Sequence, residues 1–451
     1  MRAWLTYATV LGIAVCCVSA LHAQETRWVG HCDRDGRLWN VRVRILPRGD
    51  ALRAIADFRD YGVYARHMRV TRDGNDVVLR GILRDSLVTF RGRMTDESIS
   101  GTFTARGRNF RDRRVEAEFT LHRSRSSKPD VVTEEIRFHN GDVELAGTLI
   151  KPVGAGPHPA IVWTHGSGPQ TRKTISYAGR AHLVAQHGIA ALIYDKRGVG
   201  DSGGDWRSTT LRQLAEDSAF AVRALAKRPD INAKQIGVGG MSQGGWISPL
   251  AASIESDVAF VLVGSAAGIT PQEQNNFSIE NLLRRRGVPA DQVSRVMAVR
   301  RSYDHFWRTG KDRQKVEQRL LAARKEFDNE PWFQDAALPL PPLEPGDAVW
   351  KRDYMLVEPA SVWGEVKTPV LAMWGELDAH VPAQKSREII GGVLQQGGNP
   401  DVTLKIFPNA GHGISLFQGE DAPWDWPRLA PGYHELIVEW LTARVDIAHR
   451  Q

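Results

Sequence analysis

From about residue 131 onward, strand-length apolar runs alternate with helix-length amphipathic stretches, and this alternation constrains the fold more than any other feature. The runs are residues 160–164, 189–194, 236–239, 258–263, 370–374 and 402–407. Helical patterning fills the intervals, most clearly at 176–186 and 210–227. In the second of these, Leu211, Leu214, Ser218, Val222 and Leu225 share one face before Pro229 ends the helix. Buried strands separated by helices pair in parallel, which predicts an α/β fold with a doubly wound, mostly parallel sheet. Residues 135–138 and 143–149, turned at Asn140-Gly141-Asp142, predict an antiparallel hairpin at its leading edge.

Two regions break the alternation. Between 270 and 362 the patterning is helical (279–286, 290–307 and 316–326) and is followed by Pro-rich residues 338–345. An insertion of this size divides the core into 133–269 and 363–451. It predicts a helical cap roofing a pocket at the strand carboxyl ends. Residues 24–124 instead carry short period-two runs at 38–46, 77–82, 87–92, 98–103 and 116–121, with a turn at Arg72-Asp73-Gly74-Asn75-Asp76. These predict a small antiparallel all-β domain, a sandwich or a barrel, joined to the core by a linker at 125–132.

Charge divides the chain at the same place. Residues 24–130 hold 23 Lys and Arg against 15 Asp and Glu, and residues 131–451 hold 35 against 37. The net charge of +7 therefore belongs to the front domain. Its arginines alternate along the strands, which predicts a solvated outer face; a polyanion- or envelope-binding surface is the alternative. No nucleic-acid motif is present, so no nucleic-acid partner is expected.

Residues 1–23 read as a secretory signal peptide. Arg2 precedes the small and apolar run 11–18, and the small residues Ser19, Ala20 and Ala23 offer cleavage after Ala20 or, preferably, Ala23. The run is short for an uncleaved anchor, and Val15 before Cys16 does not fit a lipid-attachment site. Cleavage leaves Cys32 as the lone cysteine, which excludes an internal disulfide. No second stretch reaches membrane-spanning length, so the expectation is an exported protein, periplasmic or secreted, with unassigned oligomeric state.

Two Gly-x-Ser-x-Gly matches occur. Gly200-Asp201-Ser202-Gly203-Gly204 lies several residues past a strand, in a glycine-rich loop. Gly240-Met241-Ser242-Gln243-Gly244 directly follows the strand at 236–239 and precedes a helix-compatible stretch at 246–254. A sharp strand-to-helix bend exposes a serine hydroxyl above the sheet and requires small flanking residues, so Ser242 is the candidate nucleophile. A serine needs a base, and the base needs an orienting carboxylate. Asp378 follows the strand at 370–374 and His412, in Ala410-Gly411-His412-Gly413, follows the strand at 402–407. Glu376 and His380 are their nearest competitors. Thr164-His165-Gly166-Ser167-Gly168-Pro169 ends an earlier strand, and the backbone N–H groups of Ser167 and Gln243 would form an oxyanion hole.

Taken together, residues 135–445 resemble the α/β-hydrolase superfamily, most closely bacterial esterases and serine aminopeptidase-like members. The likeness is carried by the motif at 165–168, Asp-Lys-Arg-Gly-Val-Gly-Asp-Ser-Gly-Gly at 195–204, the elbow at 240–244, Asp378 and His412. It implies that Ser202 belongs to a structural loop. With the front β domain included, the chain resembles bacterial secreted carboxylesterases. The expected activity is cleavage of small-molecule carboxylic esters by Ser242, His412 and Asp378 through an acyl-enzyme, without metal or organic cofactor. An aminopeptidase or amidase using the same triad on short peptides is one alternative, with Glu280, Asp304 or Glu330 of the cap as candidates to hold an amino group. A non-catalytic envelope-binding protein is the other.

Overall fold

The computed structural model describes residues 25–49, 51–83, 86–107, 114–125, 131–343, 357–416 and 428–447. The signal peptide expected at 1–23 and most of the expected linker lie outside them. Among the described residues no helix is long and apolar enough to cross a membrane.

The front domain is a closed barrel of eight antiparallel strands in sequence order: β1 (Thr26–Arg34), β2 (Arg37–Arg48), β3 (Ala51–Phe58), β4 (Val63–Asp73), β5 (Asp76–Leu83), β6 (Ser86–Met94), β7 (Ser98–Gly107) and β8 (Arg114–Arg123). β1 closes the barrel on β8, from Trp28 opposite Arg123 to Asp33 opposite Glu118. The five period-two runs of the sequence fall on β2 and β5–β8. β1, β3 and β4 were not legible, because Ala51, Ala54 and Ala56 dilute the strand signal and Arg66, His67, Arg69 and Arg72 dilute the alternation. The ladders on either side impose the strand conformation there. Trp28, Trp39, Phe58, Phe90, Phe103 and Phe119 fill the interior, so eight strands enclose a packed core rather than a channel.

The second unit is an eight-stranded sheet in the order β16-β15-β14-β13-β11-β12-β10-β9. Its edge hairpin is β9 (Val131–Asn140) and β10 (Val143–Pro152). Val131 and Val132 pair with Pro152 and Lys151, so these two residues, expected in the linker, belong to the sheet. The parallel strands are β11 (His158–Thr164), β12 (Ala190–Tyr194), β13 (Ile231–Met241), β14 (Val258–Gly264), β15 (Val370–Gly375) and β16 (Val402–Phe407). They are covered by α1 (Ile175–Ala185), α2 (Leu211–Ala226), α3 (Gly244–Ile254), further helices in the second half of the chain, and a short β17–β18 pair (Ser415–Leu416 with Arg428–Leu429). α2 starts where the sequence allows it, with Thr210 and Gln213 capping each other reciprocally.

The insertion contains α4 (Pro271–Arg285), α5 (Ala290–Thr309) and α6 (Arg313–Phe327), packed through Leu283, Val293, Phe327, Trp332 and Phe333. α7 (Pro359–Glu365) already belongs to the core, where Trp363 is fully buried. The insertion therefore ends before Pro359 and not at 362. The fold is completed by α8 (Ala383–Gln396) and α9 (Tyr433–Thr442).

The barrel is docked onto the α/β unit rather than tethered beside it. A side chain at Gly179 on α1 would collide with the Gly62 carbonyl at the end of the barrel turn Arg59–Tyr61. The Tyr64 hydroxyl lies 3.2 Å from His434 Nδ1, and Arg428 donates to the Leu38 carbonyl at 3.2 Å.

Candidate active site

Ser242 leaves β13 with φ of +56°. An L-residue holds that left-handed conformation only where its surroundings impose it. Here the Ser242 N–H donates to the Gly264 carbonyl (2.9 Å), and the Ser242 carbonyl accepts from the Gly245 N–H (2.8 Å). The flanking glycines are a steric requirement. A Cβ at 240 would run into Thr164 Oγ1, and one at 244 would lie 2.8 Å from the same atom. α3 starts two residues later, so its positive end lies beside the serine.

Asp378 and His412 come together from the loops after β15 and β16. The His412 Nδ1 is 2.8 and 3.0 Å from the two Asp378 oxygens, and the same carboxylate accepts from the N–H groups of His380 (2.8 Å) and Val381 (3.0 Å). Burial alone would raise the Asp378 pKa, but the His412 contact and the two backbone donors outweigh it and hold the group below its ordinary value. A carboxylate at Nδ1 fixes the proton there and leaves Nε2 as the basic nitrogen. Ser242 and His412 line one cavity of about 470 Å³, together with Gly166 and Ser167. Among the described residues neither the serine hydroxyl nor His412 Nε2 makes a hydrogen bond, so the site holds a base and a hydroxyl in one cavity without a closed contact between them.

The oxyanion candidates also have free donors. The Gly166 N–H is occupied by the Tyr177 hydroxyl, whereas the N–H groups of Ser167 and Gln243 have no acceptor among the described residues. A residue not singled out from the sequence ties these two segments together. Lys196, buried to 1% exposure, donates from Nζ to the carbonyls of Gly166 (3.0 Å) and Gly168 (3.3 Å) and to Gln243 Oε1 (2.7 Å). Desolvation lowers its pKa to about 8.

The competitors take other places. The Ser202 hydroxyl donates to the Asp195 carbonyl (2.7 Å) and accepts from the Ala146 N–H (3.0 Å) in a buried loop. Glu376 accepts from the Asn409 N–H at 3.0 Å, bracing the segment ahead of His412. His380 lies against the outer side of the His412 ring, with centroids 4.9 Å apart, and its Nδ1 is 2.7 Å from the Ser278 hydroxyl of α4. Of the cap acids, Glu280 pairs with Arg284, and Asp304 is buried against Asn276. Among the described residues none of the three acids, Glu330 included, lines the Ser242 cavity. No described residue of the expected cap roof lines it either. The barrel turn, through Tyr61 and Gly62, together with Gly413, Ser415, Leu429, Tyr433 and His434, supplies the wall instead, because the barrel docks on α1. Among the described residues the cap lines a neighbouring recess of about 280 Å³ beside His412, through Arg285.

His165 carries a stability consequence. It is fully buried with Nε2 2.6 Å from the Tyr194 carbonyl, and desolvation lowers its pKa to about 3. The folded protein thus refuses a proton that the unfolded chain accepts near pH 6.5, so this contribution is intact above pH 6.5 and is lost as pH falls toward 3. Between pH 6.5 and 4.5 ordinary carboxylates contribute little. The thermal midpoint should therefore already fall in that window, and a His165→Asn variant should show a shallower decline. A midpoint flat from pH 7 to 4.5 would contradict this.

Comparison with known proteins gives a match to the Hydrolase_4 family, described as serine aminopeptidase S33, over residues 155–417. Esterase EstD of Thermotoga maritima is 25% identical over 306 residues, 66% of this chain and 65% of that protein. A polyketide transferase, grgF, of a Penicillium species is 40% identical over 80 residues, 18% of this chain and 27% of that protein. The chain thus spans just under two thirds of the first relative and about a quarter of the second. A solved Pyrococcus furiosus esterase is 17% identical, covers 70% of this chain and 91% of its own, and superposes with a TM-score of 0.43. A likeness that low carries no argument, and the fold rests on this chain's own sheet order and on the family match.

Proposed function

The chain belongs to the serine aminopeptidase S33 family of α/β-hydrolases, and from that membership we propose that it hydrolyses carboxylic esters, with Ser242 as nucleophile, His412 as base and Asp378 as its orienting carboxylate. In this reading His412 Nε2 removes the Ser242 proton as Oγ attacks the ester carbonyl. The developing oxyanion accepts from the N–H groups of Ser167 and Gln243, each lowering the barrier by about 3 kcal/mol. The imidazolium, stabilised by Asp378, then protonates the departing alkoxide. Water activated by the same histidine hydrolyses the acyl-enzyme. Lys196 acts as a positioning residue that keeps the two donor segments in register.

The observation that favours esters over peptides is the charge of the cavity. An aminopeptidase must neutralise a substrate ammonium, yet no carboxylate occurs among the described residues lining the Ser242 cavity, whereas Arg180 does. A buried ammonium without a counter-ion is costly. Assay of 4-nitrophenyl butyrate beside alanine 4-nitroanilide tests the choice. Ester kcat/KM should exceed that of the anilide by at least about 10²-fold, and the reverse order would favour the peptidase.

We also propose that the enzyme acts outside the cytoplasm after loss of residues 1–23, a reading supported by Arg2, the apolar run 11–18 and Ala23. N-terminal sequencing of the exported protein should begin at Gln24. An intact Met1 would count against it.

A further inference from the structure

Arg180 stands in an unusual setting. It belongs to α1, is 8% exposed, and lines the cavity that holds Ser242 and His412. Its guanidinium lies 5.3 Å from the ring centroids of both Trp163 and Tyr177, and it interacts with the Tyr433 side chain. Stacking of this kind fixes the orientation of the planar group. It leaves the charge uncompensated, because among the described residues no carboxylate pairs with Arg180 and its buried Nε has no acceptor. The contrast with other arginines of the same unit is plain. Arg197 is paired with Asp217, Arg172 with Asp195 and Asp201, and Arg228 with Glu134 and Asp230. A buried cation is ordinarily matched by an anion, and the missing anion here adjoins open space in the candidate catalytic cavity.

We propose that Arg180 is a substrate-recognition residue, and that the preferred esters carry a carboxylate a few atoms from the scissile carbonyl. This proposal rests on the esterase reading. The stacked guanidinium presents a rigid donor edge that a carboxylate accepts from in charge-assisted hydrogen bonds. The barrel takes part in this arrangement. Gly62 abuts α1 at Gly179, next to Arg180, and Tyr61 and Gly62 wall the same cavity. Docking of the front domain thereby encloses the cation away from bulk water, where its attraction for an anion is strongest. A purely structural role accounts for the stacking on Trp163 and Tyr177 but not for an uncompensated charge beside a nucleophile.

The test compares monomethyl adipate with its isosteric neutral amide, methyl 5-carbamoylpentanoate, each followed by pH-stat titration with the full exported chain. The wild type should favour the half-ester, and Arg180→Gln should lower the ratio of the two kcat/KM values by about 10²-fold. Arg180→Lys, which keeps the charge without the planar fork, should recover part of the ratio. Adipate should also protect wild-type Ser242 from labelling by a fluorophosphonate probe. This readout needs neither turnover nor a folded variant. Equal use of the two wild-type substrates, an unchanged ratio in a folded Arg180→Gln variant, or the absence of adipate protection would overturn the proposal. Protection by adipate in a protein that hydrolyses no ester would uphold the anion site and count against the esterase reading.

Discussion

Ser242→Ala is expected to lower kcat/KM for 4-nitrophenyl butyrate by about 10⁵-fold while leaving the protein folded. The size of the effect follows from what the hydroxyl alone can do. Without it no acyl-enzyme forms, and only the oxyanion donors and substrate binding remain to accelerate attack by water. The fold should survive, because Ser242 is held by its backbone, through the Gly264 carbonyl and the Gly245 N–H, and alanine keeps both contacts. The comparison variant is Ser202→Ala. The Ser202 hydroxyl joins the Asp195 carbonyl to the Ala146 N–H, so its loss should cost stability through an unsatisfied buried amide, about 1–3 kcal/mol, and spare most of the activity. Steady-state kinetics with thermal melts on both variants separates these outcomes. Loss of turnover in the 202 variant with retention in the 242 variant would reverse the assignment.

Asp378→Asn is expected to reduce kcat by about 10⁴-fold with little change in KM. The carboxylate accepts a hydrogen bond from the His412 Nδ1–H and is held by the N–H groups of His380 and Val381. An amide in its place can turn its NH₂ toward Nδ1, which puts the imidazole proton on Nε2 and removes the base that faces the cavity. Glu376→Gln should leave kcat within about threefold, since Glu376 only accepts from the Asn409 N–H. Equal losses in the two variants would mean that the orienting acid has been misassigned between neighbouring loop positions.

Much of the candidate site is legible in the sequence because its parts are local. The bend at Ser242 announces itself through Gly240 and Gly244, whose side-chain hydrogens alone fit beside Thr164. Asp378 and His412 are legible as residues just past strand-length apolar runs. The parts that escaped depend on packing between distant segments. Nothing around Lys196 says that its ammonium is buried against two carbonyls and Gln243, and nothing around Arg180 says that no carboxylate among the described residues pairs with it. Tyr61 and Gly62 lie some 180 residues before the serine, and their place in the cavity wall follows from how the barrel docks on α1. The cap was expected to roof the pocket by analogy with insertions at strand ends. Its first helix instead grips the loop carrying Asp378, through Gln274 and Ser278 on His380 and Asn281 on the Ala379 carbonyl.

Covalent labelling tests the assignment of the nucleophile without reference to any substrate. The native protein is treated with a fluorophosphonate, digested, and mapped by tandem mass spectrometry. A single adduct on Ser242, absent from Ser242→Ala and formed much more slowly in His412→Ala, is the predicted outcome. An adduct on Ser202, or a folded wild-type protein that remains unmodified, would contradict it.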